Sequence, residues 1–219
     1  MIEVTDMSFG KVLIFGDSYS TFEGYIPEGY AFYYPATLEG RPKVTKVEET
    51  WWHSLLTETK STLIRNDSWS GSTVGYTGYG GQDTSGFSSF ITRLEKMIKE
   101  GFFEKNPLDT VFVFGATNDS WSNAPLGEAK YENFTREDRY FVLPAICEFL
   151  KMLKAAIPNT RIIYIVNSQL KEEIGNTVKE AAHRYGIEYL FLENIDKKFD
   201  HPTVLGMKQI KDQVAKMLI

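Results

Sequence analysis

Cysteine is almost missing from this chain. Cys147 is the only one, so no disulfide can form within the chain, and cysteine usage does not report on compartment. Its neighbours Ile146, Phe149 and Leu150 mark it as a buried helix thiol rather than a nucleophile. Histidine is scarce too. There are three, none in an H-x-x-x-H spacing, which argues against a zinc hydrolase. No excess of basic charge exists: 24 Lys and Arg face 29 Asp and Glu, for a net charge of −5. A phosphate-binding face needs a basic surface, so nucleic acid is not expected as a partner. No apolar run approaches the length of a membrane span. The first ten residues, M-I-E-V-T-D-M-S-F-G, lack the basic and apolar regions of a leader. As it stands the chain reads as cytoplasmic, or as secreted or periplasmic if a leader had been removed.

What is present is a soluble globular composition, 42% hydrophobic and 24% charged over 219 residues, enough for one domain with a sizeable core. Short apolar runs alternate with helical patterns five times. Strands are predicted at residues 11–15, 61–66, 110–114, 161–166 and 188–192. Helices are predicted at 50–59, from 87 to near Gly101, at 138–156 with Pro144 inside it, at 171–185 capped by Gly186, and from Pro202 and Thr203 onward. This alternation argues for a parallel sheet with helices on both faces, in a single domain spanning 1–219. One segment does not fit a simple connection. Residues 19–49 form a long insert rich in Gly, Pro and aromatics, among them Phe22, Tyr25, Tyr30, Phe32, Tyr33 and Tyr34. Most of these rings are expected to build a satellite core. Tyr33 and Tyr34 are the expected substrate contacts at the mouth of a site.

The chemistry gathers at strand ends. In K-V-L-I-F-G-D-S, Ser18 sits just past the first buried run, where open α/β sheets place their ligands. Gly71 lies in the glycine-rich stretch after the second strand, Asn118 follows the third, and His201 follows the fifth. A parallel sheet brings all four to one rim. A serine with a histidine to take its proton is the basis of covalent acyl transfer. Backbone N–H groups at Ser18 and Gly71, with the Asn118 amide, are suitable donors for an oxyanion. The glycine-rich stretch has neither G-x-G-x-x-G nor a Walker pattern, so nucleotide binding is disfavoured. Asn66, Asn118 and Asn133 each open a glycosylation triplet, a short and frequent pattern.

Taken together, G-D-S at 16–18, S-G-S around Gly71, G-A-T-N-D at 115–119 and His201-Pro202 resemble the four blocks of the SGNH, or GDSL-type, hydrolase family, in that family's order. The resemblance implies a flavodoxin-like, three-layer α/β/α fold with a five-stranded parallel sheet in the order 2-1-3-4-5. It implies an esterase or lipase-like acylhydrolase with no metal and no organic cofactor. It carries the nucleophile onto Ser18, the base onto His201, and the oxyanion donors onto the Ser18 and Gly71 amides and the Asn118 side chain.

One position departs from the family pattern, which has an aspartate three residues before the histidine. Here that residue is Lys198. Either Asp196 orients the imidazole from a rearranged loop, which is favoured over the adjacent Asp200, or a backbone carbonyl does so in a Ser–His dyad. The reading is therefore a serine ester hydrolase for small or short-chain acyl esters, with carbohydrate O-acetyl esters the first choice and lipid esters and thioesters open. The alternative is a non-hydrolytic binding module on the same fold.

Overall fold

The computed structural model describes residues 8–36 and 39–218. The stretch read for a leader therefore lies, up to residue 7, outside the described residues. Strands β1 (Lys11–Gly16), β2 (Thr62–Ser68), β3 (Thr110–Gly115), β4 (Arg161–Val166) and β5 (Glu188–Phe191) form a parallel sheet in the order β2-β1-β3-β4-β5. The helices are α1 (Trp51–Glu58), α2 (Phe90–Lys99), α3 (Phe102–Lys105), α4 (Thr117–Trp121), α5 (Val142–Ala156), α6 (Glu172–Tyr185) and α7 (Val204–Ala215). A two-stranded antiparallel ribbon, β6 (Lys197–Lys198) with β7 (His201–Pro202), stands apart from the sheet.

Side chains of a strand alternate between its faces, so a run apolar at every position serves two cores. Leu13, Phe15, Val111, Val113, Ile162 and Tyr164 pack under α2, α5 and α6. Val12, Ile14, Phe112, Phe114, Ile163 and Ile165 pack against α1, α7 and part of the insert. Each buried apolar side chain of this size contributes roughly 1.5–3 kcal/mol. This is the three-layer α/β/α arrangement expected from the sequence.

Local chemistry sets where the helices begin and end. The Thr50, Ser89 and Thr203 hydroxyls accept hydrogen bonds from the N–H groups of His53, Thr92 and Gly206 and so cap α1, α2 and α7. The helix expected at 138–156 instead begins at Val142, after a 3₁₀ turn over Glu137–Tyr140. Pro144 falls in the first turn of α5, where its missing N–H leaves no bond unmade. Phe87, expected on the apolar face of α2, precedes that helix and is exposed. Among the described residues no helix is long and apolar enough to cross a membrane.

Candidate active site

The turn that carries Ser18 is built by close packing at the end of β1. A Cβ on Gly16 would lie 2.2 Å from Ser68 Oγ and 2.7 Å from Ser20 Cβ, so only glycine fits between β2 and the turn. Asp17 is fully buried. Its Oδ1 accepts the Tyr19 N–H at 3.0 Å, which tightens Ser18–Ser20 into a single 3₁₀ turn. Burial pushes the Asp17 carboxyl up to about 7, against the Tyr19 N–H that draws it down, and Asp119 nearby adds to the rise.

Ser18 Oγ lies 2.9 Å from His201 Nε2. The other ring nitrogen, Nδ1, faces the Phe199 carbonyl at 3.0 Å, so Nδ1 carries the proton and Nε2 is the free base. Lys198 and His201 are paired across the β6–β7 ribbon, and the two residues between them, Phe199 (φ 48°) and Asp200 (φ 59°), are both left-handed. Positive φ at both central residues is the mark of a type I′ hairpin turn, which normally takes Asn or Gly. This turn swings the Phe199 carbonyl back beneath the imidazole. The Tyr19 hydroxyl donates to the Asp200 carbonyl and ties the turn to the loop that carries Ser18.

Asp196 does not reach His201. Its carboxylate accepts from the Thr203 hydroxyl, and its N–H donates to Gln209 Oε1 at 2.7 Å, so it fastens the loop onto the start of α7. The favoured assignment of Asp196 as orienter is thereby corrected: the group at Nδ1 is a main-chain carbonyl. Burial holds the His201 imidazole below its ordinary value. The Phe199 bond opposes that shift, Arg41 reinforces it, Asp200 opposes it and Lys197 reinforces it.

The remaining rim residues sit on two loops. The turn Trp69–Ser72 is closed by the Ser72 N–H on the Trp69 carbonyl at 3.2 Å, with Gly71 at φ +81°, a conformation that strains any side-chain-bearing residue. Asn118 lies in α4, with its amide nitrogen 2.9 Å from the Ser72 carbonyl. Among the described residues, neither the Ser18 nor the Gly71 N–H has a protein acceptor. The next residue, Asp119, takes the Val74 N–H at 3.0 and 2.9 Å and the Gly75 N–H at 3.3 Å, which locks the two loops together. Burial raises the Asp119 carboxyl to about 6 despite these bonds.

Behind the loops lies a residue that the sequence reading did not single out. Arg93 of α2 is 1% exposed. Its guanidinium donates to the Asp67 carbonyl, to Asp67 Oδ2 at 3.0 Å, to the Gly16 carbonyl at 3.3 Å, to Ser72 Oγ at 3.2 Å and to the Ser88 carbonyl at 2.9 Å. One fork thus joins the ends of β1 and β2 to the Gly71 turn. Its position was the available signal, because Arg93 lies on the same helical stripe as Phe90, Leu94 and Met97, which face the core. Asn66 and Asn118 are both 2% exposed, which closes their glycosylation triplets to a glycan.

The insert divides by burial. Phe22, Tyr34, Val44 and Val47 belong to the core. Tyr34 is 0% exposed and its hydroxyl donates to the Pro202 carbonyl at 2.8 Å, so it cannot touch a substrate, contrary to expectation. Tyr33 is half-buried and lies flat on the His201 ring, with centroids 3.6 Å apart and planes 2° from parallel. The Arg41 guanidinium sits 4.9 Å from the Tyr33 centroid. Tyr33, Glu39, Arg41, Phe199 and His201 line a pocket of about 390 Å³.

A family model described as GDSL-like lipase/acylhydrolase matches residues 10–218. The fold is shared with a protein of Bacteroides ovatus assigned as a GDSL-like lipase, 40% identical, with a TM-score of 0.88 over 96% of this chain and 98% of that one. It is shared equally with a protein of Bacteroides uniformis, also assigned as a GDSL-like lipase, 43% identical, with a TM-score of 0.86 over 95% and 94%. A carbohydrate esterase whose active site displays divergent catalytic and non-catalytic binding functions has the same fold at 15% identity, with a TM-score of 0.62 over 96% of this chain and 68% of that chain. No curated protein matches the chain. Strand order, the matching family model and these relatives converge on one assignment: the chain belongs to the GDSL-like lipase/acylhydrolase family and is a carboxylic ester hydrolase.

Proposed function

We propose that the chain is a serine esterase in which Ser18 is the nucleophile and His201 the general base, and that its preferred substrates are short-chain acyl esters of carbohydrates, O-acetyl esters first. The observation that carries the mechanism is the 2.9 Å contact between Ser18 Oγ and His201 Nε2. As the Ser18 oxygen bonds to the ester carbonyl carbon, its proton passes to Nε2. The carbonyl oxygen becomes an oxyanion beside the Ser18 and Gly71 N–H groups and the Asn118 amide. Collapse of the tetrahedral intermediate breaks the bond to the alcohol oxygen, which leaves with the proton from Nε2. Water then gives a proton to Nε2 and attacks the acyl-enzyme, and the carboxylic acid departs with Ser18 restored. The Phe199 carbonyl takes the orienting place that a carboxylate fills in a triad.

Support for the carbohydrate half comes from the pocket beside His201. Its walls combine two aromatic rings, Tyr33 and Phe199, with a carboxylate and a guanidinium from Glu39 and Arg41. His201 covers one face of Tyr33 and Arg41 the other, so it is the exposed Phe199 ring that can pack on the apolar face of a sugar, with the charged groups placed to bond its hydroxyls. Hydrolysis of p-nitrophenyl esters of increasing chain length, together with acetate release from O-acetylated sugars, tests both halves. We expect activity to fall as the acyl chain lengthens, acetate to be released from the sugars, and Ser18→Ala to abolish turnover while remaining folded. Near wild-type turnover by folded Ser18→Ala would overturn the nucleophile assignment, and a preference for long acyl chains would overturn the substrate class.

A further inference from the structure

A side-chain amide has two N–H donors and one acceptor oxygen. At Asn118 both ends are occupied. Nδ2 lies 2.9 Å from the Ser72 carbonyl, which can only accept, so the nitrogen must face that way. Oδ1 then faces the Tyr79 hydroxyl at 2.9 Å, which must donate. One N–H of the amide remains, and among the described residues it has no protein acceptor.

Tyr79 reaches this point on a purpose-shaped arm. Residues 76–84 leave the core and return as a small hairpin. Gly78 N–H bonds to the Gln82 carbonyl at 2.8 Å, Thr84 N–H bonds to the Tyr76 carbonyl at 2.8 Å, and Thr77 bridges Asp83. The base of the arm is fastened to the stretch before α5. Tyr76 N–H donates to the Arg139 carbonyl at 2.7 Å, and Thr77 Oγ1 donates to the Tyr140 carbonyl at 2.8 Å. Tyr79 is at the tip, 46% exposed, so its ring contributes little to the core. Partial burial, with Asp17 and Asp119 nearby, raises its hydroxyl to about 12, so it stays a donor at any working pH.

We infer that Tyr79 is a positioning residue for the oxyanion hole, acting through Asn118. The inference rests on the reading of Asn118 as an oxyanion donor. The hydroxyl pins the amide against rotation and draws electron density toward Oδ1, which makes the remaining N–H a stronger donor. That gain matters most when a full negative charge forms in front of it, so the contribution belongs to the transition state.

The test is a double-mutant cycle on p-nitrophenyl acetate, with melting temperature measured for every variant. Asn118→Ala should lower kcat by roughly 10²–10³. Tyr79→Phe should lower kcat about tenfold, the scale of one hydrogen bond to a group facing charge, with KM and melting temperature nearly unchanged. In the Asn118→Ala background, Tyr79→Phe should cost less than about twofold, because the group it acts through is gone. If Asn118→Ala is impaired and Tyr79→Phe is not, the positioning role is wrong and the oxyanion reading stands. If the Tyr79→Phe loss persists in the Asn118→Ala background, Tyr79 acts on substrate or on the fold, and the inference is likewise wrong. A silent Asn118→Ala overturns the oxyanion reading and this inference with it.

Discussion

His201 is squeezed between a stacked ring and a hydrogen-bonded carbonyl, and its charge state follows from both. Desolvation disfavours the imidazolium, Phe199 favours it, and Arg41 across the Tyr33 ring disfavours it again. The folded-state value lies below the ordinary 6.5, so the imidazole stays neutral to a lower pH than a free histidine would. The acid limb of kcat/KM, which reports the free enzyme, should therefore fall below that value. Arg41→Gln removes a repelling charge and should move the limb up. Asp200→Asn removes an attracting one and should move it down. A pH–rate profile of the three proteins checks this, and shifts of the opposite sign would mean that His201 does not set the limb. At this scale the sequence offered two acceptors for His201, a carboxylate or a backbone carbonyl, and could not choose between them, because a main-chain group leaves no residue type to read. That Ser18, Gly71, Asn118 and His201 are candidates at one rim could be read because a parallel sheet gathers strand ends. Tyr33 and Tyr34 looked alike because composition does not say which of two adjacent rings turns inward.

The β6–β7 ribbon is the element that decides how the His201 imidazole is held, and it left almost no trace in the sequence. Its strands are two residues each, and its turn is Phe-Asp rather than the usual Asn-Gly. The strands of the sheet were legible for the opposite reason. Val12–Phe15 and Val111–Phe114 are unbroken apolar runs ended by glycine, and every residue of both is buried. The helix α4 was missed because T-N-D-S-W has the composition of a loop. If the orienting acceptor is main chain, the side chains of the ribbon should matter little to kcat. Phe199→Gly replaces a bulky residue at φ 48° by one at home there, and should keep kcat within a few fold with no loss of melting temperature. Asp196→Asn weakens the fastening to Thr203 and should lower melting temperature while costing far less in kcat than the roughly 10⁴ of an amidated triad aspartate. A loss of that size would return the role to Asp196.

Across the whole molecule, Arg93 connects the stability of the sheet to the geometry of the rim. It is an ion-pair partner of Asp67 deep between β2 and α2, and Asp67 is shared with the less buried Arg65. Removing one member of a buried pair costs about 3–5 kcal/mol. Because Arg65 still pairs with Asp67, Arg93→Leu should fall near the low end. For a chain of this size that lowers the melting temperature by roughly 10 °C. Arg93→Lys keeps the charge but cannot supply five donors in a plane, so it should hold Asp67 yet release the Gly16 carbonyl and Ser72, and lose kcat more than stability. Thermal melts and kcat on p-nitrophenyl acetate distinguish the two effects, and an Arg93→Lys enzyme with full kcat would show that the fork is structural only. The three-layer fold could be read from periodicity, because every strand and long helix repeats its own pattern. A tie between three elements repeats nothing and exists only once the chain has folded.

The acceptor beneath the imidazole belongs to the chain itself and to no side chain. No change of a single codon deletes it, and it carries no proton to gain or lose near neutral pH. On the proposed mechanism, position 199 is therefore free to drift. Its exposed ring forms one wall of the pocket beside the base, so substitutions there can reshape what the pocket admits while the base remains oriented. Enzymes built this way could exchange one alcohol partner for another without passing through an inactive ancestor.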